Sequence, residues 1–299
     1  MSRWPEDSEL RAVQGRMRGA AGRVRLPLRH RTWRGESGNW QGAGVGSSID
    51  FQDHRPYLPG DDPRYIDWQA YARTGHYTMK LYREEVSPRV DVALDVSDSM
   101  FFDDAKRERV LELFFFCAES ALGAGASLRC HAVGRADSVP WTPGAALRES
   151  ERTRVAGPPP DGASTPAPPA LGRVPWRPGS LRVLVSDLLF PGSPEPHLSL
   201  LAAAKGRGVV FAPYCRAEAD PDLGGNVELT DCETGAQRTQ HIDEDLMDRY
   251  RGSYGRHFAM WKDHARRYAV VTARVLAEDS FHDALRADAL PAGAVELTR

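Results

Sequence analysis

Apolar residues along this chain change their spacing near residue 89. From there, short unbroken apolar runs alternate with segments in which apolar positions recur every three or four residues. Val90-Asp91-Val92-Ala93-Leu94-Asp95 is a β-branched run of strand length. Asp103-Asp104 supply a cap and a first-turn acid for a helix expected to reach about Leu122. Leu128 to Val133 reads as a second strand, Ala145 to Arg154 as a weak helix, and Leu181 to Asp187 as a strong buried strand. A helix over about 195–205 and a strand from Val209 to Tyr214 follow, then a hairpin over 226–241 around Glu233-Thr234-Gly235. Leu246, Tyr250, Tyr254, Phe258, Trp261, Ala265 and Tyr268 mark one face of a long amphipathic helix, despite Gly252 and Gly255 within it. Ala269 to Leu276 is a strand, and Ser280-Phe281-His282-Asp283 has capping-box form at the start of a last helix. Strands alternating with helices predict a doubly wound α/β fold, its mainly parallel sheet covered on both faces.

The chain before residue 89 reads differently. Residues 1–34 carry nine arginines against Glu6, Asp7 and Glu9, a local charge near +6. They are expected to form a solvated arm or a short amphipathic helix, with docking to an acidic partner or nucleic acid as the sharper alternative. Residues 35–48, including Gly42-Ala43-Gly44-Val45-Gly46, read as loop, as does 157–179 with its eight prolines. The expected organisation is an arginine-rich arm over 1–45, a small irregular or β subdomain over 46–88, and the α/β domain over 89–299.

Composition narrows the class of function. The 299 residues carry a net charge of −2, with 41% hydrophobic and 27% charged residues, an ordinary globular balance with no bulk attraction to nucleic acid or anionic membranes. Four widely spaced cysteines without a CxxC pair fit a reducing compartment and no zinc ribbon. The most apolar stretch, Leu111 to Ala126, contains Glu112 and Glu119 and is too short to span a bilayer. No signal-peptide core is evident, so the expected location is the cytoplasm, with no membrane span. Only Lys80, Lys106, Lys205 and Lys262 among the 39 basic residues are lysine.

Ligands of open α/β sheets bind beyond the carboxyl ends of the strands. Two strands end there in oxygen donors. One runs into Asp95-Val96-Ser97-Asp98-Ser99 and the other into Ser186-Asp187. Carboxylate and hydroxyl oxygens suit Mg²⁺, Mn²⁺ or Ca²⁺. Alternation in an extended segment would aim Asp95, Ser97 and Ser99 at one point and Asp98 away from it. A strand end with a plain helix cap is the simpler alternative. A haloacid-dehalogenase-type phosphatase would need a second acid at position 97, which is serine here, and no GxSxG elbow or phosphate-binding P-loop is present. His257 and His264 could share a helix face, but a third ligand is missing, and Cys117 and Cys130 read as core thiols.

The DxSxS loop with a later aspartate resembles the metal-ion-dependent adhesion site of von Willebrand factor A domains. That resemblance implies Asp95, Ser97, Ser99 and Asp187 as metal ligands, a sheet of von Willebrand factor A type, and a middle-loop threonine. Thr165 fits the last role by order and context, with Ser164 as the fallback.

Upstream lies a more specific string: Arg55, Tyr57, Gly60, Asp61, Asp62, Arg64, Ile66, Asp67, Trp68, Ala72 and Arg73. Pro59-Gly60-Asp61-Asp62 is turn chemistry. Its alternating charges, with Tyr57, Ile66 and Trp68 as apolar anchors, suggest an Arg–Asp network that fixes a subdomain, with a partner-binding surface as the alternative. The string resembles the signature of the bacterial family catalogued as domain of unknown function 58, which joins it to a von Willebrand A-type domain. Leu81-Tyr82-Arg83-Glu84-Glu85 and the run into Asp95 continue the likeness. Many members carry two hydrophobic N-terminal segments where this chain has arginines. Membership implies a protein partner, a MoxR-type AAA+ ATPase or its client. The expected function is therefore a non-catalytic, Mg²⁺-dependent interaction module that accepts an acidic residue from another protein. The alternatives are a metal-dependent phosphohydrolase, or binding of nucleic acid or an acidic partner through the arginine-rich arm.

Overall fold

The computed structural model describes residues 4–28, 42–44, 51–84, 88–157 and 167–298. Two compact units emerge: Arg29–Ser87, and Met1–Leu28 together with Pro88–Arg299. The larger unit opens with α1 (Asp7–Ala21) and β1 (Val24–Arg25). The smaller unit contains β2 (Gly42–Gly44), β3 (Phe51–Pro56), α2 (Trp68–Thr74) and β4 (Thr78–Glu84). The larger unit resumes with β5 (Arg89–Asp95), α3 (Asp104–Gly123), β6 (Ser127–Val133), β7 (Ser138–Pro140), α4 (Glu149–Ala156), β8 (Leu181–Val185), α5 (Glu195–Ala202), β9 (Arg207–Tyr214) and α6 (Arg216–Ala219). It ends with β10 (Gly225–Thr230), β11 (Gln237–Ile242), α7 (Glu244–Arg267), β12 (Val271–Leu276), α8 (Phe281–Ala284) and β13 (Glu296–Leu297).

The main sheet has the order β12-β9-β8-β5-β6-β7. All its pairings are parallel except β6 with the short edge strand β7. This is the mixed α/β, mainly parallel sheet expected from the alternation of periods. The inner strands are apolar on both faces because helices cover both: β8 is buried throughout, and β5 is buried from Val90 to Asp95. One core cluster gathers Leu184, Phe190, Leu198, Leu201, Val210 and Trp261. β7 escapes a periodicity reading because three residues are too few to show a period. α5 stops at Ala202, short of the expected 205, because Ala204 and Lys205 take left-handed conformations (φ 51° and 61°).

Residues 4–28 are not a flexible arm. α1 buries Leu10, Val13 and Met17, and β1 pairs with β13. Its arginines find their acidic partners on α3: Arg16 meets Glu108 at 2.5 Å, Arg18 meets Glu119 at 3.1 Å, and Glu9 pairs with Arg107. Among the described residues, part of the positive charge that suggested docking is paired within the chain. The boundary expected at 45/46 accordingly gives way to a unit that begins at Arg29 and ends at Ser87.

Within the smaller unit, β4 lies between β2 and β3 in an antiparallel sheet. Among the described residues, Arg55 with Asp61 and Arg64 with Asp62 form short local pairs. Arg55 grips Asp61 through two hydrogen bonds of 2.6 and 2.7 Å, and this pairing holds the Asp61 carboxyl down at about 2. Arg64 pairs with Asp62 in exposed geometry, while Arg73 donates to the Gln69 carbonyl oxygen of its own helix. Asp67 is buried; it accepts from Gln69 N and Ala70 N at 3.0 Å, capping α2, and meets His54 Nε2 at 2.8 Å. Gly60 sits at φ 106°, which side chains disfavour, so the turn requires glycine. Of the expected anchors, Ile66 is buried and Trp68 is not; Trp68 is 57% exposed, with its ring edge-on to Tyr71 and Tyr77.

Two stability measurements follow. Leu10→Ala deletes a fully buried side chain and should cost about 2–5 kcal/mol in denaturant unfolding; a free arm would lose nothing. Asp67→Ala should cost about 1 kcal/mol or more through loss of the α2 cap, and a midpoint equal to that of the parent would remove the capping role.

Candidate metal centre at the carboxyl ends of the sheet

β5 and β8 are neighbours, yet the chain leaves them in opposite directions, through β6 and β7 on one side and β9 and β12 on the other. A crevice forms where the winding reverses. Asp95 is the last residue of β5, and Ser186-Asp187 directly follow β8.

Both aspartates and Ser186 are buried. Asp95 Oδ1 accepts from Ser97 N at 3.0 Å, and its Oδ2 accepts from the Ser186 hydroxyl at 2.7 Å. The Ser97 and Ser99 hydroxyls lie 3.1 Å apart. The segment does not stay extended: a 3-10 turn over Asp98–Met100 follows Ser97. Asp98 therefore lines the adjoining cleft with Asp95 and Ser97 instead of facing away. That cleft has a volume of about 350 Å³ and is also lined by Arg135, Arg152 and Glu233.

Three further groups complete the site. Lys106, in the first turn of α3, is wholly buried; its Nζ donates to Asp187 Oδ2 at 2.8 Å and to Glu218 Oε1 of α6 at 2.5 Å. Burial alone would depress its pKa, but the two carboxylates reverse that and hold the ammonium charged above its usual range. Glu233, at the tip of the β10–β11 hairpin, accepts from Ser99 N at 2.8 Å. Burial raises the Glu233 carboxyl, and Asp98 and Asp187 push in the same direction. Among the described residues no basic group forms an ion pair with Asp95. Desolvation, reinforced by the charge of Asp187, lifts its carboxyl from 3.8 to about 7.

The structure links Asp95, Ser97 and Ser99 through hydrogen bonds and near approaches, and places Asp187 near enough for its charge to act on Asp95. Thr165 and Ser164 lie outside the described residues. Among the described residues no three His, Cys, Asp or Glu side chains cluster as a metal site; the converging donors are carboxylates and hydroxyls. This hard-oxygen set, with an uncompensated buried acid, fits a divalent ion better than a soft metal. His257 and His264 are engaged elsewhere, with the carbonyl oxygens of Leu188 and Met260.

Sequence reasoning missed Lys106, Glu218 and Glu233. Lys106 had a signal: Val110, Leu113 and Cys117 follow at helical spacing and are buried, so Lys106 falls on the buried face of α3. Glu233 was placed in a turn, but no local pattern tells where a hairpin tip lands.

A family model for proteins of unknown function DUF58 matches residues 53–260. The chain belongs to this family. Relatives include the uncharacterized proteins Rv1480 of Mycobacterium tuberculosis and Mb1516 of Mycobacterium bovis, each 28% identical over 216 residues, which cover 69% of this chain and 68% of the relative. Two solved structures are also similar. One is an aerotolerance-related membrane protein from Bacteroides fragilis, with 16% identity over 67% of this chain and 96% of that chain and a TM-score of 0.34. The other is the conserved hypothetical protein BatB from Bacteroides thetaiotaomicron, with 13% identity over 67% and 95% and a TM-score of 0.31. Among the described residues, no helix of this chain is long and apolar enough to cross a membrane.

The raised Asp95 carboxyl makes the cation-free protein pH-sensitive. Below about pH 4 the carboxyl is protonated in both folded and unfolded chains and adds no penalty. Between there and about 7 the unfolded chain ionises while the folded site keeps its proton, so stability falls as pH rises through this window and levels off above it. Asp95→Asn should therefore melt higher than the parent at pH 8 in EDTA and lose that part of the pH slope. An unchanged slope in the variant would show that Asp95 is not its source.

Proposed function

We propose that the larger unit is a divalent-cation-dependent protein-interaction module of von Willebrand factor A type, and that it is not an enzyme. What carries this reading is the buried carboxylate of Asp95, left without a counter-ion among the described residues, beside two serine hydroxyls and a second aspartate at the reversal point of the sheet. The strand order, with a short antiparallel strand beyond β6, supports the fold type.

Asp95 and Asp187 would supply the negative charge that attracts the ion, and Ser97 and Ser99 would supply neutral oxygens. Ser186 holds the Asp95 carboxylate in place through its 2.7 Å hydrogen bond. A bound divalent ion would supply an open coordination position for a carboxylate from another protein. Neutral hydroxyls in the donor set leave the ion with excess positive charge, which favours an anionic ligand. Position 97 is a serine where phosphohydrolase chemistry would need an acid. The partner class, a MoxR-type AAA+ ATPase or its client in protein maturation or remodelling, is proposed from the family resemblance, as is a cytoplasmic location.

Titration with Mn²⁺, followed by electron paramagnetic resonance of the free ion, should give saturable one-site binding that Asp95→Ala abolishes. A purified MoxR-type ATPase should be retained on the immobilised chain in Mg²⁺ and released by EDTA. Retention that survives both EDTA and Asp95→Ala would sink the cation latch.

A further inference from the structure

The β10–β11 hairpin stands in solvent along most of its length; of its strand residues only Ile242, at the very end, is buried. A two-stranded ribbon of this kind has little stability of its own. Its tip is nevertheless shaped with care. Asp231 Oδ1 accepts from Glu233 N at 2.8 Å and from Thr234 N at 2.9 Å, and Gly235 closes the turn at φ 70°. The result is a carboxylate presented at the end of an exposed lever.

That carboxylate lands on the candidate centre. Glu233 Oε1 accepts from Ser99 N at 2.8 Å, and the Ser99 hydroxyl faces the same side chain. Ser99 Oγ is in turn 3.1 Å from Ser97 Oγ. Glu233 also borders the cleft, together with Asp95, Ser97 and Asp98. Its charged neighbours are Asp98 and Asp187, and among the described residues no basic group pairs with it. An acid carried into an acidic site is costly in its ionised form, and a proton or a cation between the carboxylates would relieve that cost.

Given the cation site proposed above, we propose that Glu233 is an internal ligand: its carboxylate occupies in cis the position that an acidic residue of a partner would take. The hairpin is then a self-blocking element. A partner's carboxylate binds only as the ribbon swings out, so the module discriminates against weak acidic ligands.

The test uses the full chain, with Mn²⁺ and sodium acetate as probes. Glu233→Ala should bind Mn²⁺ about tenfold more weakly or worse, as expected when a metal loses a supporting carboxylate, and acetate should restore the affinity by entering the vacated position. Acetate should not affect the parent. Glu233→Gln keeps an oxygen to accept from Ser99 N; it should also bind weakly and should resist acetate rescue, because its amide still fills the position. Unchanged Mn²⁺ affinity in Glu233→Ala, with binding still abolished by Asp95→Ala, would overturn the internal ligand and leave the cation site standing. A loss that acetate cannot restore would make Glu233 a prop for the Ser99 turn and would also overturn it. Absence of Mn²⁺ binding by the parent would overturn both readings.

Discussion

One ammonium group sets the terms at the carboxyl end of the sheet. Lys106 is buried without remainder, and desolvating a charge costs several kcal/mol unless close partners offset it. Asp187 and Glu218 are those partners, and through them the ammonium ties the first turn of α3 to the end of β8 and to α6. The arrangement consumes one oxygen of Asp187; the other accepts from Leu189 N at 3.1 Å. Among the described residues, the buried cation there is therefore already shared between two acids. Asp95 is left with a hydroxyl and an amide, which orient a carboxylate but do not neutralise it. Among the described residues, the shortage of positive charge at Asp95 follows from how Lys106 is spent.

The opposite end of the same strand shows what a finished arrangement looks like. Asp91, near the start of β5, is as buried as Asp95. There Arg177 Nε donates at 2.6 Å, its backbone N at 2.9 Å and Ser180 Oγ at 2.7 Å, so charge and hydrogen-bonding capacity are both met. Two aspartates four residues apart on one strand thus have opposite fates. A buried acid with an arginine is a structural fixture, whereas one without a counter-ion carries a standing penalty that folding alone gives no reason to keep. Among the described residues, the amino end of the sheet closes on a paired acid and the carboxyl end on an acid without a basic partner.

The divide between what could and could not be read from the sequence has a physical basis. β5, β8 and α7 were legible because their periods run long enough to stand out and their burial agrees with them. Asp95 and Asp187 were legible because each ends such a run. α1 was ambiguous because its arginines hid a three-residue apolar stripe of Leu10, Val13 and Met17, and the acids that answer them sit about a hundred residues away on α3. Trp68 was misjudged because an aromatic residue in a charged motif suggests an anchor, while its position on a seven-residue helix leaves it in solvent. Lys106 and Glu233 depend on where helices and hairpins end up relative to strands, which a one-dimensional pattern does not encode. Asp98 defeated the alternation rule because the chain turns into a 3-10 segment directly after Ser97.

Several unfavourable features lie close together at this end of the molecule. Leu188 takes φ 62° immediately after Asp187, a conformation that costs a non-glycine residue of order 1–3 kcal/mol. It is held there by Ser186 Oγ, which accepts from Leu188 N at 3.2 Å, and by His257, whose ring nitrogen lies 2.8 Å from the Leu188 carbonyl oxygen. Asp95 lacks a counter-ion and Glu233 faces other acids. These costs persist because the elements that impose them are fixed by apolar packing: Leu188 itself belongs to the cluster with Phe190, Leu198 and Trp261, and α7 brings both Trp261 and His257. The core holds the ends of β5 and β8 in place, since relaxing either would move a strand whose neighbours on both sides are packed. Under the proposed function a divalent cation would relieve the site without moving the frame, as the proton on Asp95 does below about pH 7.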